Sequence, residues 1–232
     1  MARYFITSSG TEVGKTLVSA ALCHQARQRG LSVAAVKPVM SGFDPADPAP
    51  SDAGVLLASL GQPLAGDAGD AAALDRISPW RFAAPISPDM AAAREGREIS
   101  FADLVAFSRT AMAGAAELGL VEGAGGVMAP LGPQHLMVDW LAATGLAPLL
   151  VVGSYLGTIS HTLTALAALG ARGIAPVAVV ISESPISPVP LGETAAALAR
   201  FASGVPILQV PRIAGPHPWQ RAADLSSLFE AG

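Results

Sequence analysis

The chain has 232 residues and a mass of 23.4 kDa, for which we expect a single domain over residues 1–232. Hydrophobic residues make up 51% of it and charged residues 14%, which excludes a disordered chain and a charged coiled coil. The formal charge of −4 argues against a nucleic-acid partner, and the one cysteine, Cys23, excludes an intrachain disulfide framework.

Short apolar runs alternate with longer segments of helical pattern. Strands are predicted at 3–7, 32–37, 118–123, 148–153, 175–182 and 206–211. Helices are predicted at 15–29, 52–60, 100–117, 136–144, 160–171, 191–202 and 220–230. Residues 62–99 contain four prolines and are expected to be irregular and to leave the sheet. The alternation predicts an α/β fold with one doubly wound, mostly parallel sheet and helices on both faces.

The mean hydropathy of +0.48 makes a membrane span worth testing. Residues 140–171 contain no Asp, Glu, Lys or Arg and are long enough to cross a bilayer. Glycines, Pro148 and polar residues interrupt this stretch, so we predict a helix end, a buried strand and the next helix instead. The N-terminal apolar run is too short for a signal peptide, and we expect a cytoplasmic protein with no membrane partner.

A phosphate-binding loop is predicted between the first strand and the first helix. Its segment 8–16 ends in Gly-Lys-Thr, as a P-loop does, although Ser9 stands where the pattern has its first glycine. Gly14 lets the backbone approach a phosphate, Lys15 would reach the β- and γ-phosphates, and the Thr16 hydroxyl would ligate Mg²⁺. The alternative is an ordinary glycine-rich turn from strand to helix.

Polar residues follow other predicted strands, where ligands of open α/β sheets bind. Lys37 ends the second strand and is expected to face an anion, the alternative being a solvated lysine at a turn. Glu122 ends the strand at 118–123 and is placed like a Walker B carboxylate that holds Mg²⁺, or it is a satisfied strand-end glutamate. Asp52, after Ser51, is either a further metal ligand or part of a helix cap.

A second anion site is predicted at 157–161, which opens a helix after the strand at 148–153. The free N–H groups and the dipole of that helix suit a carboxylate or phosphate, and the alternative is an ordinary cap by Thr158 or Ser160. His161 is expected to be structural. Ser41 and Ser160 have no His/Asp partner at readable spacing, so nucleophilic hydrolase chemistry has no support.

Together these motifs resemble the dethiobiotin synthetase family. The shared segments, in family order, are TEVGKT at 11–16, KPVxSG at 37–42, SD at 51–52, SP at 87–88 with EGR at 95–97, VEGAGG at 121–126 and LGxIxH at 156–161. The resemblance implies a P-loop NTPase fold and a ring-closing, C–N-bond-forming ATP-dependent ligase of biotin synthesis. In that reaction CO₂ and an amine of 7,8-diaminononanoate form a carbamate, ATP phosphorylates it, and the second amine displaces phosphate.

The resemblance also implies residue roles. The catalytic group would be Lys37, Lys15 and Thr11. Mg²⁺ would be held by Thr16, Asp52 and Glu122. ATP would be bound by Glu12, Val13, Gly14, Lys15, Thr16, Glu122, Gly123, Ala124, Gly125, Ser182, Glu183, Pro211, Arg212 and Ile213. The substrate would be bound by Thr11, Lys37, Ser41 and, from a second subunit, Gly157, Thr158, Ile159 and Ser160, which implies a homodimer with a shared active site.

The sequence departs from the family pattern at a few positions. They are Ser8 for the first loop glycine, Gly10 for a common Asp, Asp89 for His, Ser160 for Asn, and Ser182-Glu183 for Asn-Asp. None is a catalytic lysine or a metal-binding carboxylate, so we expect the chemistry to be kept. Because Ser182 has one rotating hydroxyl in place of an amide, we expect ATP selectivity over CTP or GTP of about tenfold. The alternative is that the backbone of 211–213 reads adenine.

Two other classes of P-loop protein fit part of the pattern. A switch ATPase of the ParA/MinD type would carry a lysine at the position of Gly10, and it has no evident use for Lys37. An amide-forming ligase acting on a corrin ring usually carries a glutaminase domain, for which we expect no room in 232 residues.

Overall fold

Strands and helices alternate along the computed structural model, which describes residues 1–66, 69–202 and 204–229. The strands are β1 Ala2–Ser8, β2 Val33–Val36, β3 Val39–Ser41, β4 Trp80–Phe82, β5 Leu118–Glu122, β6 Ala147–Val152, β7 Ala178–Ser182 and β8 Ile207–Val210. The α-helices are α1 Lys15–Gln28, α2 Asp52–Ser59, α3 Gly69–Ile77, α4 Pro88–Arg94, α5 Phe101–Met112, α6 Met137–Thr144, α7 Thr158–Gly170 and α8 Leu191–Ala199. Short 3₁₀ helices follow at Pro218–Arg221 and Ser226–Leu228.

Six strands form one sheet in the order β2-β5-β1-β6-β7-β8. Every neighbouring pair is parallel, with β1 between β5 and β6. Because parallel strands all end at the same edge, Ser8, Val36, Glu122, Ser182 and Val210 meet along one side of the sheet. The predicted doubly wound parallel sheet is confirmed, and this edge positions the candidate site.

The apolar strands form the centre of the core. β6 and β7 are almost wholly buried, as expected for parallel strands covered on both faces. On α6, Trp140 packs edge-on against Phe5 of β1, with ring centroids 4.8 Å apart. The strand β6 lies inside the uncharged stretch 140–171, as predicted. Within the described ranges, no helix has both the length and the apolar character needed to cross a bilayer.

The segment 62–99 is more regular than its prolines indicate. It contains α3, β4 and α4, so the prediction of an irregular segment is wrong in part, while residues 67 and 68 lie outside the described residues. Pro88 stands in the first turn of α4, where a missing N–H costs nothing. The prediction that this segment leaves the main sheet is confirmed, because β4 pairs only with β3, in a separate two-stranded parallel sheet.

Two predicted helices end differently in the structure. The helix predicted at 100–117 ends at Met112, where the Arg3 side chain donates hydrogen bonds to the carbonyls of Met112 and Ala116. The helix predicted at 220–230 is wrong over its described part, and residue 230 lies outside it. The Gln25 amide of α1 donates to Ala223 O and accepts from Leu225 N, each at 2.8 Å, and these bonds keep the chain between the two 3₁₀ helices out of a continuous α-helix.

Candidate active site

The phosphate loop joins β1 to α1 and carries two unusual backbone conformations. Gly14 precedes α1 with φ = 96°, and a Cβ at this position would lie 2.3 Å from Ser182 Oγ. Both conformation and space therefore require glycine here. Glu12 adopts φ = 56°, which is uncommon for a residue with a side chain. The loop directs the first N–H groups of α1 toward the carboxyl edge of the sheet, an arrangement that suits a phosphate.

Lys15 lies in the first turn of α1 and is buried, with 7% of its surface exposed. Its Nζ lies 3.1 Å from Ser8 Oγ and 3.4 Å from the carbonyl oxygen of Gly10. Within the described part of the chain it forms no ion pair. Burial, and then the positive charge of Lys37, lower the pKa of Lys15 to about 8. A buried ammonium held only by neutral oxygens is well placed to accept an anionic ligand.

Lys37 lies beside two carboxylates at the end of β2. Val36 of β2 is in register with Val121 of β5, so the next residues, Lys37 and Glu122, are neighbours. Lys37 Nζ lies 2.9 Å from Glu122 Oε1, 3.1 Å from Asp52 Oδ2 and 2.8 Å from the carbonyl oxygen of Gly123. Burial alone would lower the pKa of Lys37, but the two carboxylates outweigh it and raise that pKa above its ordinary value. Lys37 is therefore a charged, fixed ammonium.

The Asp52 carboxylate points into the site rather than capping its own helix. Ser51 caps α2, because its hydroxyl accepts a hydrogen bond from Gly54 N at 3.1 Å. Asp52 is thereby left to pair with Lys37, whose charge holds the pKa of the Asp52 carboxyl below its usual range. Ser51 is therefore the cap of α2 and Asp52 pairs with Lys37, while a role of Asp52 as a metal ligand stays a prediction.

The oxygens around Glu122 have the chemistry of a magnesium site. The Thr16 hydroxyl donates to Glu122 Oε1 at 2.7 Å, so its lone pairs remain available to a metal. Glu122 Oε2 is buried and has no hydrogen-bond partner among the described residues. Across all the described residues, no group of three or more His, Cys, Asp or Glu side chains lies together in a way that could hold a metal ion. A hydroxyl and two carboxylates fit Mg²⁺, which keeps waters and takes phosphate oxygens as further ligands.

Lys15, Thr16, Lys37 and Asp52 all line one cleft, which has a volume of about 800 Å³. Its predicted wall residues are Thr11, Glu12, Gly14, Lys15, Thr16, Lys37, Ser41, Asp52, Ala124 and Gly125. Ser41 contributes a buried hydroxyl oxygen that lacks a hydrogen-bond partner in the described ranges. Val13 is instead buried beneath the loop, and Gly123 takes part through its carbonyl oxygen, which accepts from Lys37.

The predicted carboxylate site at the start of α7 does not line this cleft. Gly157 is the N-cap of α7, with φ = 99° and no side-chain cap, so capping by Thr158 or Ser160 is wrong. The Thr158 hydroxyl donates to the carbonyl oxygen of Gly153 at 2.7 Å instead. Ile159 and Ser160 are exposed. His161 Nδ1 lies 2.8 Å from the hydroxyl of Tyr155.

The residues predicted to meet the nucleotide base lie at the ends of β7 and β8. Ser182 is buried against the phosphate loop at Gly14. Glu183 is held to the neighbouring strand end, because its carboxylate oxygen Oε2 accepts a hydrogen bond from Arg212 N at 2.8 Å. Pro211 and Arg212 are exposed and Ile213 is half-buried. The Glu183 carboxylate therefore fixes the backbone of this segment.

Sequence reasoning missed part of the cleft wall. Pro85, Ile86, Ser87 and Pro88 line it opposite the phosphate loop, together with Ala129 and Pro130. The Ser87 hydroxyl donates to Asp89 Oδ1 at 2.5 Å, which fixes the start of α4. The Ser-Pro pair was the available signal, but proline content alone predicted only irregular chain.

Comparison with known sequences identifies the family. A family model described as "AAA domain" matches residues 2–215. The chain is 51% identical over 206 residues to the ATP-dependent dethiobiotin synthetase BioD of Acidiphilium cryptum (strain JF-5), covering 89% of this chain and 91% of that protein. It is 49% identical over 216 residues to the protein of the same name from Caulobacter sp. (strain K31), covering 91% and 89%.

Solved structures share the fold at low sequence identity. A chain of the MinC:MinD cell division protein complex from Aquifex aeolicus superposes with a TM-score of 0.54 at 12% identity, covering 95% of this chain and 86% of that one. The signal recognition particle receptor FtsY from Elizabethkingia anophelis gives 0.50 at 12% identity, and the match spans 99% of this chain but only 64% of FtsY. These likenesses show the fold alone. From the sequence relatives, the chain belongs to the ATP-dependent dethiobiotin synthetase family.

Proposed function

We propose that this protein closes the ureido ring of dethiobiotin from 7,8-diaminononanoate, CO₂ and ATP. The observation that carries the proposal is the second lysine of the phosphate cleft. Lys37 lies at the carboxyl edge of the sheet with Lys15, and it is fixed by Glu122 and Asp52. A site that only hydrolyses ATP has no evident use for this second buried cation, whereas a carbamate and its mixed anhydride with phosphate carry negative charge that it neutralises.

The reaction balances without a covalent enzyme intermediate. One amine of the substrate attacks CO₂, forms a C–N bond and loses a proton, which gives a carbamate. A carbamate oxygen then attacks the γ-phosphorus of ATP and releases ADP. The second amine attacks the carbonyl carbon of this mixed anhydride and loses a proton, and the C–O bond to phosphate breaks so that phosphate leaves as the ring closes. The protein has to position two amines and neutralise phosphate oxygens, for which rigid cations and backbone N–H groups suffice.

We assign the two lysines different tasks within this scheme. Lys15, which is buried and has no ionic partner among the described residues, binds the β- and γ-phosphate oxygens. Lys37 stabilises the carbamate and the phosphate that leaves it. Thr11 and the unpartnered hydroxyl of Ser41 face the diamine across the cleft. Glu12 to Thr16 and the segment Glu122 to Gly125 surround the triphosphate.

The donor set supports a magnesium site formed by Thr16, Asp52 and Glu122. The buried, unpartnered oxygen of Glu122 would otherwise be a costly unsatisfied group. These three residues would hold Mg²⁺, which would supply positive charge to neutralise the phosphate oxygens. These three residues provide oxygen donors beside Lys15 and Lys37. The proposed sites for the phosphate anion and for the metal cation therefore lie side by side in the cleft.

We further propose a homodimer that completes the substrate site. A nine-carbon substrate with its amines at the phosphate loop needs a second anion site for its carboxylate, and the start of α7 lies off the cleft of its own subunit. Exposed apolar side chains flank that helix start, since Leu156 is 84% and Ile159 37% exposed. Burial of these side chains against a second copy would bring Gly157 to Ser160 to the partner's cleft.

For the base site we propose that Ser182, Glu183 and the segment 211–213 receive the nucleobase, with ATP as the working co-substrate. Glu183 and the carbonyl groups of the segment offer hydrogen-bond acceptors, which suit the amino group of adenine. The cytoplasmic location and the single domain over 1–232 remain predictions. Cell fractionation tests the first, and limited proteolysis followed by mass spectrometry tests the second.

Steady-state turnover tests the proposal against its rival. We expect ADP release to require both diaminononanoate and bicarbonate, because the acceptor for the phosphoryl group exists only when both are present. ADP release at the same rate without either compound would support a switch ATPase instead. The Lys37→Met variant is the matched control, since it keeps the phosphate loop and removes only the second cation.

A further inference from the structure

Ser8 lies at the point where β1 becomes the phosphate loop and has no assigned role. It is completely buried. Its hydroxyl oxygen lies 3.1 Å from Lys15 Nζ, 2.5 Å from the carbonyl oxygen of Gly10 and 2.8 Å from that of Gly125. One hydroxyl therefore contacts the loop lysine, the loop backbone and the glycine-rich segment after β5.

The number of hydrogen bonds that a serine hydroxyl can donate and accept limits which of these contacts form together. The hydroxyl has one proton and two lone pairs, so it donates to a single carbonyl, of Gly10 or of Gly125, and accepts from Lys15. Lys15 can only donate, and its other neutral acceptor, the carbonyl of Gly10, is more distant at 3.4 Å. Ser8 is thus the nearest acceptor of the ammonium.

We infer that Ser8 is a positioning residue for Lys15, which holds the ammonium in place for the β- and γ-phosphates. The lysine stem has four rotatable carbons, and a fixed resting position reduces the conformational entropy lost when the phosphates bind. The inference rests on the proposed role of Lys15 as a phosphate ligand.

Backbone contacts distinguish a role of Ser8 in positioning Lys15 from a role in holding the phosphate loop against the segment after β5. Val127 N donates to the carbonyl oxygen of Ser8 at 2.8 Å, and a Cβ on Gly126 would lie 3.1 Å from Gly10 N. The phosphate loop and the segment after β5 are therefore held together by backbone packing whatever side chain stands at position 8. Removal of the hydroxyl leaves this packing intact and removes the nearer of the two acceptors of Lys15, so that only the more distant carbonyl of Gly10 remains in the described residues.

Calorimetric binding of ATP, ADP and AMP to the full chain tests the inference. We expect Ser8→Ala to weaken ATP and ADP binding about tenfold, as for loss of a hydrogen bond to a charged group, and to leave AMP binding unchanged. Ser8→Cys has nearly the same volume but a poor acceptor, and it is expected to match Ser8→Ala. Ser19→Ala is the control, because Ser19 on α1 is equally buried and its hydroxyl has no partner in the described residues. Thermal unfolding of each variant verifies the fold.

A double-mutant cycle with Lys15→Met tests whether the effect of Ser8→Ala on ATP affinity depends on Lys15. We expect Ser8→Ala to cost about tenfold in ATP affinity when Lys15 is present and less than about twofold in the Lys15→Met background. An equal loss in both backgrounds, or an equal loss for AMP, would overturn the positioning role and assign Ser8 to the loop backbone. Unchanged ATP binding by Lys15→Met alone would instead contradict the proposed role of Lys15.

Discussion

Lys37 Nζ lies 2.9 Å from Glu122 Oε1, although the two residues are 85 positions apart in the chain. They meet because β2 and β5 are adjacent and parallel, so that both strands end at the same edge. Asp52 approaches the same ammonium at 3.1 Å. The Lys37 ammonium therefore holds both carboxylates beside the phosphate loop, where the proposed metal and triphosphate would lie.

The first prediction concerns the buried pair itself. Lys37→Met should lower turnover by about two to three orders of magnitude, the usual effect of removing a group that stabilises developing charge. It should also lower the free energy of unfolding by about 3 kcal/mol, because Glu122 is left buried without its cation. Urea unfolding measures the second effect. The double variant Lys37→Met/Glu122→Gln should recover part of the stability and none of the activity; full activity in either variant contradicts the assigned role.

The second prediction concerns the metal. Glu122→Gln keeps the acceptor for Thr16 and Lys37 but loses the charge that a cation needs, so the Mg²⁺ concentration for half-maximal turnover should rise about tenfold or more. Glu117→Gln is the matched control, since Glu117 precedes the same strand and bonds Ser32 at the surface. An unchanged magnesium titration for Glu122→Gln would place the metal elsewhere.

The third prediction concerns the start of α7. Leu156→Glu places a charge on the exposed apolar side chain next to Gly157 and should give monomers that bind ATP normally but turn over slowly. Phe201→Glu, at a similarly exposed apolar position beyond α8, should remain dimeric and active. Sedimentation velocity gives the oligomeric state, and nucleotide binding gives the integrity of the cleft. A fully active monomer would rule out the shared substrate site.

The fourth prediction concerns the nucleobase. Glu183→Ala frees the Arg212 amide and should raise the KM for ATP about tenfold, whereas Glu183→Gln keeps a carbonyl acceptor and should stay near wild type. In the wild-type protein, kcat/KM should favour ATP over CTP or GTP by only about tenfold, since Ser182 lacks an amide. A preference above roughly a thousandfold would mean that the backbone of 211–213 reads adenine.

The fifth prediction concerns pH and the start of α6. Burial alone would raise the pKa of Asp139, but the Leu136 N–H and the Arg172 guanidinium lower it below its ordinary value. The carboxylate therefore stabilises the fold above the unfolded pKa, near pH 4, and this contribution is lost as the pH falls through the lower folded value. Asp139→Ala should cost about 1 kcal/mol at pH 7 and almost nothing near pH 3, measured by urea unfolding. An equal cost at both pH values would exclude a charge effect.

Much of this fold is predictable because the six strands of the main sheet are continuous apolar runs that alternate with helices. β3 and β4 are not predictable in this way, because each has three residues and their partner lies some forty positions away. The C-terminal segment has a helical pattern, yet the Gln25 side chain occupies its backbone groups. Contacts of that kind have no signature in local sequence.

The residues of the candidate site are likewise predictable from the sequence only in part. Lys15 is predictable from the Gly-Lys-Thr that ends the phosphate loop, and Lys37 and Glu122 are predictable because strand ends of a parallel sheet meet at one edge. The alternatives for Asp52 could not be separated by sequence, since a helix start suits both a cap and a ligand, and only the Ser51 hydrogen bond distinguishes them. The role of Ser8 has no sequence signal, because a serine in place of glycine does not reveal which groups its hydroxyl meets.

In the proposed reaction, one carbon from bicarbonate joins two amines, and one ATP is converted to ADP and phosphate. Incubation of the protein with diaminononanoate, ¹³C-bicarbonate and Mg·ATP, followed by mass spectrometry and ADP determination, measures this directly. We expect dethiobiotin that carries a single ¹³C, with one ADP released per ring closed and with product formed about two to three orders of magnitude more slowly by Lys37→Met. ADP formation without labelled product would contradict the account.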